Sequence, residues 1–312
     1  LIHLRAFLHL VPELPARGAL PRARSVNLEG LGLGILRNRV DHEPIYAYLD
    51  YGEYGGGHGH PDRLNISLYA YGRRWLTDPG TCPYGMDMLQ RWYRQTLAHN
   101  TVVVDEESQR RCDGLLVSFQ VGEEDQLQLV TAIAEGAYAG VVLKRTIALW
   151  QDLLFDIFSV SSEEEHVYDL PMHSFGSLSL PGRILAPGSL SSSGHGYDCL
   201  EEVHIGDVHD CTAQFAESQR GLLVFFHAEP ESKTTMITAK TPSVPTQLNR
   251  RFPVVIRRRR AAHTVFESVL HPYGSAGPRV HAVERLSLGR YRIRKADGTT
   301  AEVTVPMQEG QS

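Results

Sequence analysis

The residue types best suited to chemistry crowd into one stretch, Tyr51-Gly-Glu-Tyr-Gly-Gly-Gly-His58-Gly-His60-Pro-Asp62-Arg63-Leu-Asn65. Consecutive glycines let a backbone approach a ligand or adopt positive φ. If residues 58–60 are extended, His58 and His60 point to the same side, because strand side chains repeat every two residues. Such a pair can offer a metal two nitrogens, or divide the roles of base and ligand. It can also be no more than two surface histidines in a glycine loop. Asp78, in Asp78-Pro79-Gly80, reads by itself as a turn residue. His99 precedes a β-branched run, Thr101-Val102-Val103-Val104, that must be a strand. Behind it stand Tyr93 and Arg94, which suits a cleft, although a lone His of this kind is more often structural. His60, Asp78 and His99 together supply two imidazoles and a carboxylate, an N/N/O set suited to zinc. His173, at an expected strand end, is a further candidate for the same cleft.

The elements that must position these residues are strands. Ile66, Leu68 and Ala70 alternate with Ser67, Tyr69 and Tyr71, and a turn is expected at Gly72-Arg73-Arg74. Residues 141–160 read as long strands. Leu222–His227 is apolar on both faces, and Arg290–Arg294 pairs with Glu302–Val305 across Asp297-Gly298. A short helix is expected over 86–97 and an exposed loop over 187–196. Arg257–Arg260 reads as an exposed edge strand or hairpin, where charge blocks edge pairing. Strand-sized segments recur to Val305, so the expected fold is all-β, a large antiparallel sandwich over residues 31–312. Residues 1–30, rich in Arg and interrupted by Pro, read as a linker or arm.

Composition narrows the function. The 312 residues are 42% hydrophobic and 21% charged, with net charge −5. Disorder is excluded, and a nucleic-acid partner is not expected of an acidic chain. No apolar run is long enough to span a bilayer. The four cysteines form no CxxC pair; Cys199 and Cys211 read as buried thiols, with pairing left open. The start carries no recognisable leader, which reads as a leader removed or as a piece of a longer chain.

In order and spacing, Gly57-His58-Gly59-His60-Pro61-Asp62, Asp78-Pro79-Gly80, Tyr93-Arg94 and His99-Asn100-Thr101-Val102 resemble the heparinase II/III-like polysaccharide lyases, which include alginate and oligoalginate lyases. Tyr168-Asp169-Leu170-Pro171 leading to His173, and Val265–Leu270, are similar to later family segments. The resemblance spans roughly residues 31–275. It implies the C-terminal β-sandwich of a two-part enzyme, whose N-terminal α/α toroid supplies an Asn-His pair and a Tyr and closes the substrate cleft. The linker 1–30 would then lead from that toroid. The implied reaction is β-elimination on a uronate-containing polysaccharide. By resemblance, His58 is a base or substrate contact, and Tyr93, Arg94 and His173 lie near the sugar. His60, Asp78 and His99 match a zinc site of largely structural role. The implied location is periplasmic or secreted, or cytoplasmic for an exo-acting enzyme. Two rivals remain: a non-catalytic carbohydrate-binding domain, and a cupin-like metal oxygenase. The second lacks the Glu expected shortly after His60, where Pro61-Asp62-Arg63 stands instead.

Overall fold

A computed structural model describes residues 24–307, apart from 41–42, 123–125, 191–193, 231 and 248. Three antiparallel sheets carry the described chain. The first runs in order Val26–Leu28, Leu33–Val40, Glu43–Asp50, Ile66–Ala70 and Arg73–Leu76. Its first strand lies inside the stretch read as an arm, whose residues 1–23 fall outside the described residues. Alternation decides which face is buried. Ile45, Ala47 and Leu49 are at most 1% exposed, while Tyr46, Tyr48 and Asp50 between them are only partly covered. The buried face packs on Val130, Leu143 and Phe158 of the second sheet. Each fully covered Leu or Ile contributes about 1.5–3 kcal/mol.

The second sheet is built on two long strands, Leu153–His173 and Arg251–Tyr273. They pair antiparallel from Leu154↔Leu270 to His173↔Val254, with an irregularity between Ser161 and His166. Each is flanked by different neighbours along its length. Val141–Trp150 borders the first half of one, and Val103–Val104 its second half. Thr234–Pro242 borders the first half of the other, and Arg220–His227 its second half. The reading of Arg257–Arg260 as an exposed edge is therefore wrong. This run is hydrogen-bonded on one side to Leu153–His173 and, over Arg257 and Arg258, on the other to Thr234–Pro242. Arg257 and Arg259 are each 2% exposed, stacked over Phe226 and Phe266. Arg258 points the other way, onto Asp169 and Glu106. A strand of consecutive arginines can be interior because each alternate guanidinium finds carbonyls, hydroxyls or carboxylates.

The third sheet, Val280–Ser287, Arg290–Lys295 and Thr300–Thr304, packs Tyr291, Ile293 and Val303 against Phe155, Phe225 and Val269. Its hairpin turns at Asp297-Gly298 as expected, with Gly298 at φ +84. The described helical pieces are short. In place of one helix over 86–97 there are a π turn, Leu89–Tyr93, and a 3-10 turn, Thr96–Ala98. The turn expected at Gly72-Arg73-Arg74 ends sooner, since Arg73 already begins a strand. Cys199 and Cys211 are buried and free. Among the described residues no helix is long and apolar enough to cross a membrane.

Candidate active and metal-binding site

The loop Tyr51–Asn65 leaves the first sheet and is closed at its base by backbone bonds from Leu64 N to Asp50 O (2.8 Å) and from Asp50 N to Asn65 O (2.9 Å). Buried Arg63 staples it from inside, donating to Asp62 Oδ1 at 2.6 Å and Asp50 Oδ1 at 3.1 Å. The glycines serve the turn. Gly55 and Gly56 take φ +81 and +62, and a Cβ on Gly59 would sit 1.6 Å from Tyr54 O. Residues 56–58 form a 3-10 turn, so His58 and His60 are not related by strand geometry. His58 is exposed and its Nδ1 lies 2.5 Å from Tyr84 Oη. His60 is half-buried, its ring centroid 5.3 Å from that of His99.

His99 is fully buried and follows the turn Thr96–Ala98, which the Thr96 hydroxyl ties to the loop by donating to Pro61 O at 2.6 Å. Next to it, Asn100 uses every polar group. Its Nδ2 donates to Ile66 O and Thr77 O, its N donates to Asn65 Oδ1, and its Oδ1 accepts from His173 N. Asn65 Nδ2 in turn donates to Asp78 Oδ2 at 3.0 Å. Behind both segments, Arg145 of the second sheet donates to Leu64 O and Asn100 O and pairs bidentately with Asp156 at 2.7 and 2.8 Å. Arg145 and Asp156 are both fully buried.

The electrostatics follow from this packing. His99 Nε2 lies 3.2 Å from Tyr93 O, a carbonyl that can only accept, so this nitrogen carries a proton. Its Nδ1 then faces Asp78 Oδ2 at 3.0 Å and Asp62 Oδ2 at 4.0 Å. Burial opposes charging His99, but Asp78 outweighs it and raises the imidazole to about 9. Burial likewise opposes the Asp78 carboxylate, and the charge of His99 overrides it, holding Asp78 near about 2. For His60, burial and then the charge of His99 lower the pKa. The pocket therefore calls for a positive charge between an imidazole nitrogen and a carboxylate.

A divalent metal fits that demand. Donor atoms of His60, Asp62 and His99 all lie within 4.8 Å of one another. Ligands held at 2.0–2.1 Å in a tetrahedron stand about 3.3 Å apart, close to the His99–Asp78 separation of 3.0 Å. Asp62 has its charge met by Arg63 at 2.6 Å, while Asp78 accepts from Asn65 Nδ2 and Gly80 N. The structure thus brings His60, Asp62 and His99 together as donors, with Asp78 at 3.0 Å from His99 Nδ1 beside them.

The remaining residues separate into two groups. Arg94 stays with His58, donating from Nη2 to Gly57 O at 2.5 Å, with its guanidinium 5.8 Å above the Tyr84 ring. Tyr93 and His173 turn inward. Tyr93 is buried and its hydroxyl donates to Ser243 O at 2.7 Å. His173 Nε2 donates to Leu97 O at 2.8 Å, and its ring meets Trp92 edge-on. Burial lowers its pKa to about 4, so it is neutral. Tyr84 was missed by sequence reasoning; its only signal was a lone aromatic in the turn Pro83-Tyr84-Gly85. It is 65% exposed, which for a tyrosine bonded to a histidine marks an open surface group.

Residues 20–269 match the family described as heparinase II/III-like, C-terminal, and the chain belongs to that family. An exo-oligoalginate lyase from Saccharophagus degradans is 28% identical over 254 residues, covering 70% of this chain and 34% of that protein. An alginate lyase from Stenotrophomonas maltophilia is 31% identical over 173 residues, 48% of this chain and 23% of that one. The heparan sulfate lyase HepC from Pedobacter heparinus shares the fold, with TM-score 0.70 at 17% identity over 95% of this chain and 44% of its own. The chain spans about a third or less of the length of these two curated relatives.

Proposed function

We propose that this chain is the C-terminal part of a lyase that cleaves a uronate-containing polysaccharide by β-elimination. The relatives support a lyase acting on polysaccharides, and the observation that carries the finer reading is the exposed His58–Tyr84–Arg94 group. In the reaction a base removes the C5 proton of the uronate. The electron pair forms the C4–C5 double bond, and the bond to O4 breaks as that oxygen gains a proton. With Nδ1–H donated to Tyr84 Oη, His58 keeps Nε2 free to accept a proton. Arg94 supplies a cation for the uronate carboxylate, whose neutralisation acidifies C5–H. In this reading Tyr93 and His173 act from behind, by packing the segment that carries Arg94 and His99.

A divalent metal, zinc by donor type, would be held by His60, Asp78 and His99 and would supply a fixed positive charge that locks the loop to the sheet. Its role is structural, because His58, not His60, meets the exposed surface. The partner completing the cleft is an N-terminal toroid of the same protein, and the location is the periplasm or outside the cell, where such polymers are met. The test is an ultraviolet assay for unsaturated uronate with the longer protein that contains this chain, on polymannuronate, polyguluronate and heparan sulfate. No absorbance growth on any uronate polymer would overturn the reading and favour a carbohydrate-binding role.

A further inference from the structure

The first sheet buries one face and turns the other outward. On the outward face the register sets four side chains in one row across four strands. Arg37 stands opposite Tyr46, Tyr46 opposite Tyr69, and Tyr69 opposite Arg74. Three strand spacings separate the ends of the row, about 14 Å. The two tyrosine rings stack with centroids 4.9 Å apart and planes 13° apart. Both tyrosines and Arg37 are partly exposed, and Arg74 is exposed. Asp50, held by Arg63 of the His58 loop, lies four residues along the strand from Tyr46, about 13 Å away. The row is therefore no part of the site described above, but it lies on the face of the sheet from which that loop leaves.

A cross-strand aromatic pair stabilises a sheet without any ligand. The arginines at its two ends are not explained by that role. Arg73, beside Arg74 in sequence, pairs with Glu217 at 2.7 Å, and Arg290 and Arg292 of the third sheet share Glu302. Among the described residues no carboxylate bridges Arg37 or Arg74, and neither hydroxyl of the tyrosine pair is hydrogen-bonded. Arg37 Nη1 donates to a carbonyl, Arg24 O, at 2.9 Å. Asp50 is the one carboxylate that strand alternation places on this face, and Arg63 already meets it at 3.1 Å. The face thus presents a guanidinium at each end and two phenols between them. A guanidinium takes a carboxylate through two parallel hydrogen bonds, and a phenol both donates to and accepts from a hydroxyl. A ligand that matches the row carries carboxylates and hydroxyls along an extended chain. A neutral glycan would leave both guanidinium groups unused, and a plain polyanion would leave the phenols unused.

We propose that the row Arg37–Tyr46–Tyr69–Arg74 is a secondary binding surface for an acidic polysaccharide lying across the strands, with carboxylates on the two guanidinium groups and sugar hydroxyls on the two phenols. That this polysaccharide is the one being cleaved rests on the function proposed above. A polymer held here and at His58 binds more tightly than at either place alone.

Calorimetric titration of the longer protein that contains this chain tests the proposal, with His58→Ala in every titration to prevent cleavage. The probes are polymannuronate, heparan sulfate, neutral mannan and inorganic polyphosphate. At least one of the two acidic polysaccharides should bind. Arg37→Glu/Arg74→Glu should weaken it about 10-fold or more, and Arg37→Lys/Arg74→Lys should stay within about 3-fold of the parent, because reversal removes two charge-assisted contacts and lysine keeps the charges. Arg74→Glu alone, at the exposed end, should give a smaller loss in the same direction. Unfolding midpoints equal to that of the parent show that the variants are folded. With His58 restored, the double Glu variant should raise KM for the polymer about 10-fold and leave kcat unchanged. KM for a short oligosaccharide of that polymer should not move, since a short substrate is turned over in the cleft alone. Four results would each overturn the surface: no binding of either acidic polysaccharide, equal affinity in parent and Glu variant, mannan binding as tightly, or complete displacement by polyphosphate of equal charge. A rise in KM for the short substrate as large as that for the polymer would also overturn it, by placing the row within the cleft. A longer protein that lacks lyase activity while its titrations keep this charge dependence would fail the function alone.

Discussion

Two histidines one residue apart, His58 and His60, belong to different worlds. His60 leans into a pocket where the polar groups of His99, Asp78, Asn65 and Asn100 are tied to one another and braced from behind by Arg145 and Asp156. His58 stands outside with Tyr84 and Arg94, on a glycine turn with few other anchors. A buried network whose members hold one another fixes a conformation. An exposed imidazole with one side-chain partner keeps a ring nitrogen open to the surface, as the proposed base requires. Rigidity and reactivity are thus separated by a single glycine, and each half can be disturbed without the other.

The largest effect should come from making burial itself unfavourable. His227 and His271 are buried, and burial lowers each from the ordinary 6.5 to about 4. The unfolded chain binds these protons near pH 6.5 and the folded chain only near pH 4. Their stabilisation of the fold is fully present above pH 6.5 and is lost as pH falls toward 4, at roughly 3 kcal/mol per histidine. Urea midpoints should drop steeply across that window, and less steeply in a His227→Gln/His271→Gln variant. An unchanged slope in that variant would assign the acid sensitivity elsewhere.

Next comes the brace. Asp156→Ala leaves Arg145 charged and unpaired in the core and should cost about 3–5 kcal/mol. Because Arg145 also holds Leu64 O and Asn100 O, the same change should weaken metal retention. Equilibrium unfolding and metal analysis read the two together. A destabilised variant that keeps its metal as tightly as the parent would show that the brace serves the core alone.

His58→Ala, in the longer protein, should lower kcat about 100-fold, the usual scale for a lost acid–base group, or about 2.7 kcal/mol. Metal content and unfolding midpoint should stay unchanged. His60→Ala should do the opposite at its origin, stripping the metal and costing about 2–3 kcal/mol of stability at metal concentrations near 100 times Kd. If the two variants behaved alike, the division between the histidines would collapse.

How much of this was legible beforehand depends on the range of the interactions. The sandwich was readable because alternation is local: Ile66, Leu68 and Ala70 declare a strand without reference to any partner. The grouping of His60 with Asp78 and His99 could be offered from donor chemistry but was carried mainly by the resemblance, since nothing in Asp78-Pro79-Gly80 alone distinguishes a pocket carboxylate from a turn residue. Arg145 and Asp156 could not be matched from sequence, because their contact depends on the register Arg145↔Phe158 between neighbouring strands. Arg257–Arg260 misled for the same reason. Four arginines look solvated, as Arg260 is, until Phe226, Phe266, Glu267 O and Asp169 are brought to Arg257, Arg258 and Arg259 from elsewhere in the chain. The strand geometry assumed for His58 and His60 failed because Gly55 and Gly56 impose a left-handed turn, and periodicity arguments do not describe that.

Tyr84→Phe should be the mildest change and the one that locates the proton. The substitution removes one hydroxyl, leaves the ring under Arg94, and touches no group of the buried network. If Nδ1–H of His58 donates to Tyr84 Oη, the hydroxyl fixes the tautomer that leaves Nε2 as the base. Phenylalanine lets the other tautomer compete, and the ring is no longer held at 2.5 Å. The loss expected is that of a hydrogen bond of about 1–1.5 kcal/mol, close to 10-fold in kcat. KM should change little, because Arg94 still meets the carboxylate. A fall in kcat as large as that of His58→Ala would make Tyr84 the proton-transferring group itself, with His58 as its support. A rise in KM at constant kcat would instead make the hydroxyl a sugar contact. Each result leaves the metal half untouched, so the exposed group can be resolved on its own terms.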